Sequence, residues 1–210
     1  MNSLDNYKAI KDEIFKLKTT VNIIVVTKNR SFESILPIIK NGHLHFGENK
    51  VQEAKEKWNT FLVNNQNIQL HLIGKLQSNK AKDAFVLFNY IHTLDNEKLA
   101  KKFSDLEFNS TRKIKYFIQI NIGDEIQKNG INQSLAKEFI NYCIGDLKLN
   151  IIGLMCLPPI NLPPQSFFKK MKQLMIDNNL KELSMGMSSD YKEALDCGST
   201  YLRIGSAIFK

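Results

Sequence analysis

Two rhythms of hydrophobic positions alternate along the chain. Short apolar runs recur at NIIVVTK (22–28), HLHFGE (43–48), IQLHLIG (68–74), YIHTLD (90–95), IKYFIQIN (114–121), LNIIGLMC (149–156), ELSMGMS (182–188) and TYLRIGS (200–206). Their length and continuity predict strands. Between them the spacing turns helical. Phe32, Ile35, Leu36 and Ile39 share a face, as do Leu99, Phe103 and Leu106, then Leu135, Phe139 and Cys143, then Phe168, Met171 and Met175. A further helix signal runs from Asp190 to Cys197 and stops at Gly198, and Leu4, Tyr7, Ile10, Ile14 and Leu17 mark an N-terminal helix within residues 1–20. Ser31, Asp95, Ser134 and Ser166 are the candidate N-caps. Continuous apolar strands alternating with amphipathic helices predict a parallel sheet. Eight such units favour an α/β fold built as a single (β/α)8 TIM-type barrel over 22–209 with an extra N-terminal helix, in one domain spanning 1–210. An open doubly wound sheet would carry a glycine-rich turn after the first strand, where this chain reads TKNRS.

Composition narrows the function classes. A chain of 210 residues, 43% hydrophobic and 24% charged, suits one globular domain. No apolar run is long enough to cross a membrane. The first 20 residues mix charges and lack a signal-peptide core, so the cytoplasm is the expected compartment. Cys143, Cys156 and Cys197 have neither metal-type spacing nor an even disulfide set, and are read as reduced thiols. The net charge of +8 raises nucleic acid as a partner class. Against it, the lysines are interspersed with carboxylates, and Lys75, Lys80 and Lys82 in HLIGKLQSNKAK read as solvated. Neither nucleic acid nor a membrane is an expected partner. His43-x-His45 has the spacing of a metal pair, but without a third ligand nearby strand packing is the better reading. Met155, Met185 and Met187 read as barrel packing, and Asp95 as a cap rather than a catalytic acid. PPINLPP (158–164) reads as a stiff loop.

Function in such a barrel gathers where strands end in their C-terminal loops. The last two strand ends are rich in small residues: Ser184, Gly186 and Ser188, then Gly205 and Ser206. Small residues let backbone N–H groups approach a phosphate. Lys28 ends the first strand, which neighbours the last on closure. Partly buried at the mouth, it would have a lowered pKa and an amine able to attack a carbonyl; a strand-end lysine reaching solvent is the plain alternative. Lysine plus phosphate cradle suits a phosphorylated aldehyde or ketone, with pyridoxal 5′-phosphate (PLP) a candidate. Arg203 then acquires a role. Pointing inward, it would donate to the pyridine nitrogen, keep it unprotonated and damp the ring as an electron sink. Pairing with a structural carboxylate is the alternative for Arg203.

Several motifs in order resemble the pyridoxal phosphate homeostasis proteins (PLP-binding, PROSC-type), whose barrel is similar to the N-terminal domain of alanine racemase. They are VVTK around Lys28, FGENKVQEA (46–54), HLIGKLQSNKAK (71–82), GLMCL (153–157), LSMGMSSDYKEAL (183–195) and LRIGSAIF (202–209). The resemblance implies that Lys28 carries PLP as a Schiff base, that Ser184, Gly186, Gly205 and Ser206 fall at phosphate-binding positions, that Arg203 meets the pyridine nitrogen, and that Asn49 and His71 line the pocket. It implies intracellular PLP buffering or delivery by a monomer, with PLP-dependent apo-enzymes as recipients and no dedicated turnover. The alternatives are a weak racemase-like PLP enzyme and a basic nucleic-acid-binding protein. A racemase's second base comes from a separate domain for which this chain has no room. The chain departs from the family after Lys28, where SKTKP is replaced by TKNRS. Arg30 cannot accept an aldehyde as a second lysine could, which bears on any transfer step. Lys50 replaces the tyrosine common after FGEN, and the chain stops at Lys210 with almost no tail.

Overall fold

The computed structural model describes residues 2–18, 20–125 and 127–210. Helix α1 (Ser3–Leu17) precedes β1 (Asn22–Val26), α2 (Phe32–Lys40), β2 (His45–Glu48), α3 (Val51–Leu62), β3 (Gln69–Leu72), α4 (Ala81–Leu87), β4 (Tyr90–Leu94), α5 (Glu97–Phe108) and β5 (Lys115–Asn121). There follow a two-residue strand β6 (Ile131–Asn132), α6 (Ala136–Asn141) running into a π-helical turn (Tyr142–Asp146), β7 (Ile151–Cys156), α7 (Gln165–Asp177), β8 (Glu182–Met187), α8 (Tyr191–Asp196) and β9 (Tyr201–Ile204). Every pairing is parallel. The strands run β1-β2-β3-β4-β5-β7-β8-β9 and β9 returns to β1, so the sheet closes; β6 only extends the end of β5. This is the eight-stranded barrel expected from the sequence, with the extra helix α1.

Closure divides the apolar residues into two populations. The larger lies between strands and helices, where Ile35, Phe46, Trp58, Phe103, Tyr116 and Phe168 are fully buried. The smaller is a plug inside the barrel, made of Ile24, Tyr90, Phe117, Met155 and Tyr201. Both faces of each strand are therefore covered, which is why the strands read as continuous apolar runs.

Helix starts depart from the expected caps. The α5 cap is Asn96, whose side chain accepts from the Leu99 amide, rather than Asp95. Asn132 caps the 3₁₀ turn containing Ser134. Pro164 precedes α7, leaving Ser166 inside it; Pro there is favoured because its missing N–H has no helical partner to lose. Ser31 does sit at the start of α2, without a side-chain cap bond. Met155 and Met185 are buried as expected, but Met187 is partly exposed. His43 lies outside β2, and among the described residues no group of three or more His, Cys, Asp or Glu is arranged to hold a metal. None of the described helices is long and apolar enough to cross a membrane.

Candidate functional site

A cavity of about 650 Å³ opens at the C-terminal end of the strands, lined by residues at or just past the ends of β1, β2, β3, β7, β8 and β9. The sequence candidates Lys28, Asn49, Arg203, Gly205 and Ser206 all line it. His71, Ser184 and Gly186 do not. His71 and Ser184 are fully buried in the barrel interior, the former hydrogen-bonded to His45 and His92 and the latter to Arg203.

Gly186 explains why Ser184 and Ser188 part company. The β8–β9 register shifts between Ser184↔Tyr201 and Met187↔Arg203, so β8 carries one extra residue. Gly186 takes it up at φ +92°, a conformation L side chains rarely adopt, and a Cβ there would meet the Ala194 Cβ at 2.6 Å. The bulge leaves Ser184 inside the barrel and brings Ser188 to the cavity. The amides of Gly205 and Ala207 converge on Ser188 Oγ at 3.3 and 3.2 Å. Residues beyond β9 form a tight turn, with the Ile208 and Phe209 amides both donating to the Gly205 carbonyl. At Gly205 a Cβ would stand 3.1 Å from Val26 Cβ, so its smallness lets β9 leave the barrel close beside β1.

Arg203 is the buried cation of the site, 4% exposed. Nη1 donates to Ser184 O and Ser184 Oγ, both at 2.7 Å, and Nη2 donates to Cys156 O at 2.9 Å. Among the described residues, those three bonds leave two of its five N–H groups without a protein acceptor. Among the described residues no carboxylate forms a salt bridge with it. Burial lowers its pKa from the ordinary value, but a guanidinium starts so high that it stays charged. Burial also pushes the adjacent Cys156 thiol up to about 12, so that group is neutral.

Lys28 is exposed rather than partly buried. It stands beyond the end of β1, in the turn after Thr27, and reaches the cavity from the rim. That turn is clamped from outside the barrel. The Lys57 ammonium, on α3, donates to the Thr27 carbonyl at 2.6 Å, and Glu53 Oε1 accepts from the Asn29 amide at 2.5 Å. Behind the clamp, the fully buried Glu48 Oε1 accepts from Thr27 Oγ1 at 2.7 Å and from Lys57 and Trp58 Nε1 at 2.9 Å each.

The family described as "Alanine racemase, N-terminal domain" matches residues 4–210. A pyridoxal phosphate homeostasis protein of Pasteurella multocida is 36% identical over 206 residues, covering 91% of this chain and 87% of the relative. One from Synechocystis is 34% identical over 205 residues, covering 93% and 94%. The chain belongs to the pyridoxal phosphate homeostasis protein family. PipY of Synechococcus elongatus, solved with PLP bound, superposes on this homeostasis-family chain with a TM-score of 0.89 at 30% identity over 100% of both chains. Alanine racemase from E. faecalis matches at 13% identity with a TM-score of 0.75, covering 99% of this chain and 58% of the racemase; that likeness shows a shared barrel.

Within the family motifs, sequence reasoning left Ser188 out of the site set and missed the clamp. Glu53 and Lys57 do carry a signal, an i,i+4 pair of opposite charge, but their bonds to the Lys28 turn cross elements. The family departures have structural consequences. Arg30 donates to the Phe209 carbonyl at 2.7 Å and lies over the Phe209 ring, bracing the turn after β9. Lys50 is the exposed residue before α3.

Proposed function

We propose that this chain, residues 1–210 acting as one unit, is a cytoplasmic PLP carrier. It holds the cofactor covalently through the Lys28 amine and buffers or delivers it to PLP-dependent apo-enzymes. The observation that carries this reading is Arg203: a buried cation at the cavity with only neutral acceptors and two unused N–H groups. A buried N–H without an acceptor is costly, and an acceptor atom in the cavity would relieve it.

The residues present fit the cofactor. Bound PLP supplies an aldehyde that condenses reversibly with an amine, and a ring whose power as an electron sink depends on protonation of its nitrogen. Lys28 offers the amine at the rim. Ser188, held by the amides of Gly205 and Ala207, and Ser206 offer hydroxyls for a phosphate, and those two amides would face it if Ser188 turned away. Arg203, deeper, offers a permanent donor to the ring nitrogen, which disfavours a proton there. Two features support carriage over turnover. The sink is damped, and the cavity lining, among the described residues, includes no tyrosine, histidine, thiol or carboxylate side chain, with Lys210 as the one amine besides Lys28.

The test is absorbance on adding PLP, followed by borohydride reduction and peptide mapping. A new band and a label on Lys28, both lost in Lys28→Ala, are expected. No band, or a label on another lysine, defeats the assignment. Fast amino-acid racemisation that disappears in Lys28→Ala defeats the carrier role while keeping the site.

A further inference from the structure

Below the cavity the barrel interior holds a row of polar side chains with no part in the function proposed above. Arg203 Nη1 lies 2.7 Å from Ser184 Oγ, and Ser184 Oγ lies 2.9 Å from His92 Nδ1. His92 Nε2 is 2.9 Å from His71 Nδ1, and His71 Nε2 is 2.9 Å from His45 Nδ1. Ser184, His92 and His71 are fully buried, and His45 is half-buried at the opposite end of the barrel.

One end of this row fixes the direction of all of it. A guanidinium only donates, so Ser184 Oγ accepts from Arg203. If Ser184 also accepted from His92, its own proton would be buried with no acceptor, which is disfavoured. The hydroxyl therefore donates to His92 Nδ1. A neutral imidazole has one N–H, so His92 donates through Nε2 to His71 Nδ1. His71 in turn donates through Nε2 to His45 Nδ1. Burial holds His71 and His92 well below the ordinary imidazole pKa, which keeps them neutral. His43 reaches the same tautomer separately: its Nε2 donates to the His45 carbonyl at 2.8 Å, and its Nδ1 accepts from Tyr7 Oη at 3.0 Å.

Every bond in the row thus points its lone pair toward Arg203 and its proton away. Aligned in this way, neutral dipoles stabilise the buried cation as a carboxylate would. Unlike a carboxylate, they do not compete for the N–H groups left over at the cavity.

We infer that Ser184, His92, His71 and His45 form a one-directional hydrogen-bond chain that serves as the counter-ion of Arg203, and that they are positioning residues for the acceptor atom Arg203 meets in the cavity. Naming that atom as the PLP ring nitrogen rests on the proposed function; the chain itself does not.

Two readouts separate the claims. In protein free of PLP at neutral pH, long-range ¹H–¹⁵N spectra should show all four histidines neutral and protonated at Nε2. Ser184→Ala should leave His92 and His71 in mixed tautomers and speed exchange of the Arg203 Nη protons. A His92 protonated at Nδ1 in the wild type, or an unchanged spectrum in Ser184→Ala, overturns the chain whatever PLP does. With PLP added, His92→Phe should bind about tenfold more weakly and shift the absorbance band. His92→Asn keeps an acceptor for Ser184 and should stay within about twofold of wild type. Equal affinity and band position in wild type and His92→Phe, at matched thermal stability, overturns the positioning role. A wild type that binds no PLP at all defeats the proposed function and leaves the tautomer experiment to decide the chain.

Discussion

Lys28 and Arg203 enter the same cavity from neighbouring strands, β1 and β9, yet the chain treats them differently. Lys28 is exposed and held only through the backbone of its turn, by side chains that reach in from α3 outside the barrel. Arg203 is buried and held at its guanidinium, by groups inside the barrel. The outer brace rests on an ion pair, Lys57–Glu48 at 2.9 Å with side chains 8% and 0% exposed. The inner brace is made of neutral groups: the Asp190 carboxylate acts on Arg203 from a distance, and among the described residues no carboxylate forms a salt bridge with it. The contrast fits their proposed work. A nucleophilic amine must move as its bond to a carbonyl forms, so only its base is fixed; a cation that reads one acceptor atom must not move at all.

The largest effect should come from breaking the outer brace. Glu48→Gln removes the fully buried one of the two carboxylates paired with Lys57, leaving Glu53 at 3.0 Å, and should cost about 3 kcal/mol of stability in urea unfolding at neutral pH. A cost below about 1 kcal/mol would mean that the pair is not what holds the α3 side. Acid should act on the imidazole side instead. His43 is pushed down to about 4 from 6.5 by burial, so below pH 6.5 the unfolded chain takes up a proton that the folded chain refuses. Stability is then full above pH 6.5 and falls as pH drops toward 4, by up to about 3 kcal/mol from this residue. His43→Asn should make that slope shallower, the rest coming from His71 and His92; an unchanged slope assigns it to other groups. The smallest effect should come from Glu53→Ala, which removes the acceptor of the Asn29 amide. A loss of about 1 kcal/mol is expected, with faster hydrogen exchange at Asn29, and protection at Asn29 equal to wild type would remove Glu53 from the clamp.

The same contrast separates what was legible in the sequence from what was not. The eight barrel strands were readable because burial on both faces made them continuous apolar runs. Lys28, Asn49, Arg203, Gly205 and Ser206 were readable because each stands at a strand end, and closure brings those ends to one rim. Helix α3 left a thinner signal: its buried residues are Val51, Ala54 and Trp58, with polar residues between them and Phe61 and Leu62 only at its end. The Asp95 cap failed by one residue, since Asn96 beside it caps equally well. Ser184 and Ser188 could not be told apart, because period-two alternation puts both on one face and only the bulge at Gly186 separates them. The histidine row was invisible for another reason. It joins β2, β3, β4, β8 and β9, and its contacts exist only once the barrel has closed.

The three thiols have a use as well as a place. All are buried, and burial pushes Cys143 and Cys156 up to about 12. The aldehyde carriage proposed above would benefit from thiols that stay protonated and out of reach. The same property turns them into clocks. Cys156 lies at the end of β7 beneath the cavity, Cys143 in the turn after α6 and Cys197 just past α8. The order in which an alkylating reagent reaches them would report which part of the wall opens first.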